Sequence, residues 1–245
     1  MKLLVFDLWG DLAHFKKFYT TTSPLSLSFP APPTIAGILG ALVGTEKNTN
    51  DYLRKFMNEF CRLSIQIITP IKKIRFGVNL VETKGSNLKR PMSDKNLAPR
   101  TLIRTEFVRF PRYRIYFFHK DDKTYNQVKE KLIEHRTFFT LSLGLSELIA
   151  NFKFVGEFDF DEITFRNEAV DIASPILVSN LVDSSDSVVI EQGKKYLKEK
   201  IPVIMNPERI VTFYDDVIFE PEGRTIKAKV KKYQLLENNT AICFF

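Results

Sequence analysis

The sequence predicts an α+β fold: a ferredoxin-like unit of order β-α-β-hairpin-β-α-β, with a long β-hairpin inserted between its second and third strands, followed by a small β-rich C-terminal part. Three observations carry this reading. Strand-like and helix-like runs alternate through the first two thirds of the chain. A basic, proline-bearing stretch, "NLKRPMSDKNLAPRTLIRTEFVRFPRYRIY", interrupts them at Asn87–Tyr116. After about Asn167 the helical pattern stops, and short strands with the turn signals "NPE" and "EPEG" take over. The predicted division is therefore residues 1–166 and 167–245, with the hairpin at about 75–110.

Each element follows from its own residues. "KLLVFDLW" (residues 2–9) is apolar and rich in β-formers, a central strand. A polar loop leads to "TIAGILGALVG", a helix after prolines that Thr34 is placed to cap and Gly44 to end. Gly37 and Gly40 each cost that helix about 1 kcal/mol against alanine, a cost explained by tight packing or by a phosphate or backbone approaching that face. A second helix is predicted over Asn50–Cys61, and a strand from Leu63. "IRFGVNLVET" and "TLIRTEFVRF" flank the basic stretch as the two limbs of an extended hairpin, with a mobile tip predicted around Lys84–Pro99. "RYRIYFFH" is the next strand, and Lys123–His135 an amphipathic helix presenting Tyr125, Val128 and Leu132 on one face. "FKFVGEFDFDEITF" returns to strand.

Charge is segregated. From Ile71 to Ile115 there are twelve Lys and Arg against Glu82, Asp94 and Glu106, a local net charge of +9 in a chain whose total is +7. Such a cluster is the footprint of a polyanionic partner. The chain also uses 22 phenylalanines, which supply core area and π-faces on which unpaired bases stack. Single-stranded RNA suits that combination best, since a basic groove holds the backbone while aromatics take the bases. "HFKKFY", in the loop after the first strand, offers a second such grip: His14, Phe15, Lys16, Lys17 and Tyr19.

Other chemistries find little support. The sequence carries no Walker, GxGxxG, HExxH or GxSxG motif. Glu157, Asp159 and Asp161 alternate along a strand, which marks its solvent face rather than a magnesium site. Cys61 and Cys243 lack metal-site spacing and read as buried thiols. Neither a metal nor a cofactor is expected. His135 at a helix end suits the dipole, and His14 is the one histidine placed to act as a general base for metal-independent RNA cleavage, with Lys17 and Tyr19 beside it in sequence. No signal peptide or membrane span is recognisable, so a cytoplasmic protein without a membrane partner is expected.

Three stretches together resemble one family. They are "FDLWGDLAHFKKFYTTTSPLSLSFPAPPTIAGILGALVG", "FFTLSLGLSELIANFKFVGEF" and the apolar ending "AICFF". In this order they look like the fifth family of CRISPR-associated (Cas) proteins, most like its type I-B (Hmari) subgroup. Asp11 stands where that family usually has proline. The resemblance implies an RNA-recognition-motif-like domain of the RAMP superfamily with a hairpin "thumb". It implies a subunit of the Cascade complex that holds the 5′ handle of crRNA in antiviral defence, caps the filament of backbone subunits and contacts the large PAM-reading subunit, with target DNA near the PAM. On this reading Arg100, Arg104 and Arg109 contact phosphates and Lys89 and Arg90 lie at the thumb's tip, with "HFKKFY" gripping from the other side. The type I-C relative cuts RNA with a Tyr–Lys–His set, for which only the loose grouping of His14, Lys17 and Tyr19 is recognisable here. A non-catalytic subunit is therefore expected, with a metal-independent endoribonuclease that processes pre-crRNA as the alternative.

Overall fold

The computed structural model describes residues 1–46, 48–81, 100–164, 168–183 and 186–245. At its centre lies β1 (Lys2–Gly10), whose alternation sends Leu4, Phe6 and Leu8 to one face of a sheet and Leu3 and Val5 to the other. All five are buried, because both faces are covered. β1 pairs antiparallel with β6 (Arg112–His119) on one side and β7 (Ala150–Thr164) on the other, and β3 (Cys61–Ile67) pairs antiparallel with β6. Over the Leu4–Phe6–Leu8 face pack α1 (Pro32–Val43), α2 (Asp51–Phe56) and α3 (Asp122–Ile133).

The helices depart from the sequence expectation at their ends. α1 begins at Pro32, and Ala31 rather than Thr34 is its cap residue, with no side-chain hydrogen bond. The two prolines occupy its first positions, where a missing N–H costs nothing and the fixed φ is already helical. Gly44 closes it in the left-handed region at φ 80°, and a Cβ there would run into the Phe138 ring. α2 is shorter than predicted, since Asn50 at φ 54° starts it and the Asn58 side chain turns the chain into β3 at Cys61. α3 is capped by Asp121, whose carboxylate accepts from the Thr124 amide at 2.9 Å, and it buries Tyr125, Val128 and Leu132. His135 lies beyond its end at φ 52° and stacks on Phe152 instead of serving the dipole.

The C-terminal strands do not stand apart. β7 is fifteen residues long: its first part pairs with β1 and Phe160–Thr164 pairs with β13 (Lys232–Leu236). Beyond β13 the sheet continues through β14 (Ala241–Ile242), β8 (Val170–Ile172) and β12 (Ile226–Ala228), so that among the described residues eight strands run in the order β12-β8-β14-β13-β7-β1-β6-β3. The sheet curls, and Phe160, Leu236 and Ile242 close over Leu3, Val5 and Tyr116. A second sheet, of β10 (Leu197–Met205), β11 (Val211–Phe219) and β9 (Ile176–Leu177), contributes Ile201, Val203, Val217 and Phe219 to the main core beside α1. No helix among the described residues is long and apolar enough to cross a membrane.

The third sheet forms an arm. β4 (Lys73–Val81) and β5 (Arg100–Arg109) pair antiparallel from Lys73↔Val108 to Val81↔Arg100, and the short β2 (Leu12–Ala13) ties the root of β5 to the body. The tip predicted around Lys84–Pro99 lies outside the described residues, as do Lys89, Arg90 and residues 165–167 at the predicted division.

Candidate nucleic-acid interface

Strand alternation sorts the arm into two unlike faces. One carries Lys73, Arg75, Arg100 and Arg104; the other carries Ile74, Phe76, Val78, Leu80, Ile103 and Phe107. Arg100 and Arg104 are exposed and make no ion pair among the described residues, so their charge is available to a ligand. Arg75 is committed: its Nε and Nη2 both lie 2.8 Å from Oε2 of buried Glu106. On the second face Phe76 stacks on Phe107 at 4.5 Å, and Phe107 in turn packs on the His14 ring. Arg109 belongs to that side at the root, exposed, with its guanidinium 4.9 Å above the Phe110 ring.

A chain of alternating charges holds the arm to the body. Glu199, on β10, accepts from Lys17 at 3.2 Å, Lys73 at 3.1 Å, the Ser28 amide at 3.0 Å and the Ser28 hydroxyl at 3.0 Å. Lys73 lies 3.8 Å from Glu106, which also accepts from the Ser26 amide and from Arg75. Burial alone would push the Glu199 carboxyl up, but Lys73, the Ser28 amide and Lys17 outweigh it and hold it below the ordinary glutamate range. Lys17 is raised by the same logic: burial works against its charge, and Glu199 with Tyr19 more than offsets it.

"HFKKFY" divides between core and surface. His14 is 4% exposed and its Nδ1 lies 2.7 Å from the Glu106 carbonyl oxygen. Phe15 is equally buried, against Tyr113. Neither offers a ring to a base, which corrects the sequence expectation for both, and among the described residues no hydrogen bond joins His14 to Lys17 or Tyr19. The cause is a backbone partner: the His14 amide donates to the Leu143 carbonyl, and Gly144 at φ 103° packs so closely on the His14 carbonyl that any Cβ would collide with it. Lys16 and Tyr19 are exposed, whereas Lys17 is held by Glu199. The sequence reading missed Phe18, which is half-exposed, meets Tyr19 edge-on and packs on Tyr214 of β11 at 4.8 Å. Phe18, Tyr19 and Tyr214 thus form a surface aromatic group beside Lys16. A second aromatic–guanidinium pair was also missed, Arg112 over Trp9 at 5.3 Å, with Arg112 and Arg114 both bonded to buried Asp7.

The acids Glu157, Asp159 and Asp161 do not converge. Glu157 accepts from Tyr125 and Lys129, and among the described residues no cluster of three or more His, Cys, Asp or Glu could hold a metal. Cys61 and Cys243 are both free and buried, and burial pushes each thiol up to about 12.

The chain belongs to the CRISPR-associated protein (Cas_Cas5) family, whose model matches residues 3–211. A CRISPR protein from Archaeoglobus fulgidus superposes with a TM-score of 0.57 at 13% identity, over 99% of this chain and 98% of that one. A chain of a CRISPR RNA-guided surveillance complex does so at 0.50 and 9% identity, over 97% and 92%. A chain of the type III-B Cmr-beta complex bound to cognate target RNA and AMPPnP gives 0.50 at 15% identity, over 93% and 86%. At these identities the likeness is one of fold. No curated protein matches the sequence.

Proposed function

We propose that this protein is a non-catalytic subunit of a type I-B Cascade complex that holds the 5′ handle of crRNA in cytoplasmic antiviral defence. The observation that carries the reading is the arm's polar face, where exposed Arg100 and Arg104, without an ion pair among the described residues, stand on the same side as Lys73 and Arg75. Unpaired guanidiniums on a two-stranded arm suit a phosphate backbone, and Lys16 with Phe18 and Tyr19 suits unstacked bases at the body. Family membership supports the placement in a CRISPR complex, as does the likeness of fold to a chain of a surveillance complex.

The finer assignments belong to the same proposal. The strand order β7-β1-β6-β3, with α1 between β1 and β3 and α3 between β6 and β7, supports a ferredoxin-like core of residues 1–166, with 167–245 as the β-rich C-terminal part. The arm is then the thumb, and its apolar face suits a neighbouring backbone subunit at the end of the filament. Contact with the large PAM-reading subunit, with target DNA nearby, completes the assembly. The burial of His14 and the ion pairing of Lys17 favour this reading over a metal-independent endoribonuclease, since neither group is free to take a proton from a 2′-hydroxyl.

The test is to incubate the purified protein, in chelator, with 5′-labelled repeat RNA from its own locus and to run native and denaturing gels in parallel. Shifted, intact RNA is expected. RNA cut at one position would overturn the non-catalytic assignment, and RNA neither shifted nor cut would overturn the RNA-binding one.

A further inference from the structure

Gly37 and Gly40 lie one turn apart on α1, yet the structure treats them differently. A Cβ on Gly40 would collide with Tyr52 Cβ and the Thr45 hydroxyl, so that glycine is required for the close approach of α1 and α2. A Cβ on Gly37 would meet nothing nearer than Tyr52 Cε2 at 3.8 Å, and packing gives no reason for a residue that costs its helix about 1 kcal/mol. Gly37 instead lies in the wall of a pocket of about 320 Å³, a size within the range of small-molecule and single-residue ligand sites.

The lining is of two kinds. Pro33, Ile38, Ala41 and Met205 supply apolar surface. Thr34, Tyr52, Thr140, Ser142 and Arg209 bring polar side chains, and among the described residues none of these five makes a hydrogen bond or ion pair. No carboxylate lines the pocket. Thr34, Tyr52 and Ser142 are half-buried and Thr140 and Arg209 exposed, and together they bring four hydroxyls and a guanidinium, uncommitted among the described residues, to one apolar-walled space.

We propose that this pocket takes one unstacked nucleotide of the bound RNA: the base against Met205 and the apolar face of α1, the ribose hydroxyl among the threonine and serine hydroxyls, and a phosphate on Arg209. This rests on the RNA-binding reading above and adds to it a second point of attachment, away from the arm. The supports of the two points are shared. Thr140, Ser142 and Gly144 line the pocket, and Leu143 and Gly144 of the same loop pack on His14, from which the chain runs to Lys16 and Tyr19. The β10–β11 hairpin carries Met205 and Arg209 at its turn and Tyr214, which packs on Phe18, along its second strand. Gly37 is absent of side chain because the nucleotide occupies the place a side chain would fill.

The experiment measures affinity of the whole protein for repeat RNA and for a series of the same RNA with a single abasic site at each handle position. In the wild type, one abasic position is expected to weaken binding about tenfold, the loss of one base contact. Gly37→Leu, which fills the pocket, is expected to weaken intact RNA by a similar factor and to make that abasic position cause no further loss. The same substitution is expected to raise the thermal midpoint, since leucine is the better helix former, so a folding defect cannot mimic the result. Arg209→Ala, on an exposed turn, is expected to lower affinity and reduce its salt dependence. If the wild type binds RNA and no abasic position couples to Gly37→Leu, the pocket proposal is wrong while RNA binding stands. If the wild type binds no RNA, the RNA reading itself fails, and the nucleotide with it.

Discussion

Glu199 reaches Lys73 across 126 positions of sequence and Lys17 across 182, and it is 10% exposed in its side chain. Replacing it with glutamine leaves two lysines facing a neutral group in a largely buried setting. We expect Glu199→Gln to cost about 3 kcal/mol, the lower end for a broken buried pair because Lys73 still touches solvent. That corresponds to roughly 6–12 °C in the thermal midpoint for a chain of this size. The pH dependence has a definite sign. A carboxyl held below its ordinary value of 4.5 contributes stability above that value and loses it as pH falls through the folded value. Midpoints of wild type and variant, measured across acid pH, should therefore converge below about 4.5 and stay parallel near neutrality; a constant gap through acid would assign the effect to packing. At the surface, Phe18→Ala should weaken RNA binding by about tenfold with little change in stability, in line with the loss of one stacking face. Phe15→Ala should do the reverse, destabilising the core by about 3–5 kcal/mol. Equilibrium unfolding and RNA titration on the pair separate the two roles. Sequence alone could not tell these phenylalanines apart. What sorts them is the bridge between Lys16 and Ser26 and the turn from Lys17 to Thr20, and His14 is held inside by the backbone of Leu143 and Gly144 and by the Glu106 carbonyl, all far along the chain.

At the scale of the element, the arm was the most legible part of the chain. Two runs of β-formers flanked a charge cluster, and Arg100, Arg104 and Arg109 stood out together through that cluster and the family resemblance. Which face each takes, Arg109 opposite the other two, comes from the register of β4 with β5. Lys73 and Arg75 are basic residues on the same face, but Glu199 and Glu106 hold them, and Glu199 could not be foreseen as a partner from its place in "LKEKIPVIM". The consequence is quantitative. Neutralising Arg100 and Arg104 together should lower the slope of log affinity against log salt by about 1.4, two single-strand phosphate contacts. Neutralising Arg75 should leave that slope nearly unchanged and loosen the arm's root. Binding titrations between low and moderate salt distinguish these, and an unchanged slope in the double variant would remove the arm from the interface.

For the whole molecule, β7 is the decisive element, because one strand is shared by the central sheet and by β13. The change of pattern after Asn167 was visible in the sequence, but the joining of the later strands to the same sheet was not: pairing partners in a sheet carry no mark of distance. If the shared strand makes one cooperative unit, Cys61 on β3 and Cys243 after β14 should become reactive together. Both thiols are buried and pushed up to about 12, so labelling reports opening of each half. Thiol labelling in increasing denaturant, followed alongside the fluorescence of Trp9, is expected to give one midpoint. Separate midpoints for the two cysteines would show two independently stable parts.

The pairing of β1 also dictates how such a chain must be made. Leu4 lies opposite Phe117 and Lys2 opposite Asp159, so both neighbours of this strand are more than a hundred residues downstream. At ordinary rates of synthesis, roughly 5–20 residues per second, "LLVF" leaves the ribosome several seconds before either neighbour exists. Through that interval it is an apolar strand with both edges open. Closure of so many non-local pairs is slow on topological grounds. Yield in the cell should therefore be governed by what shields this strand during translation, more than by the stability of the finished fold.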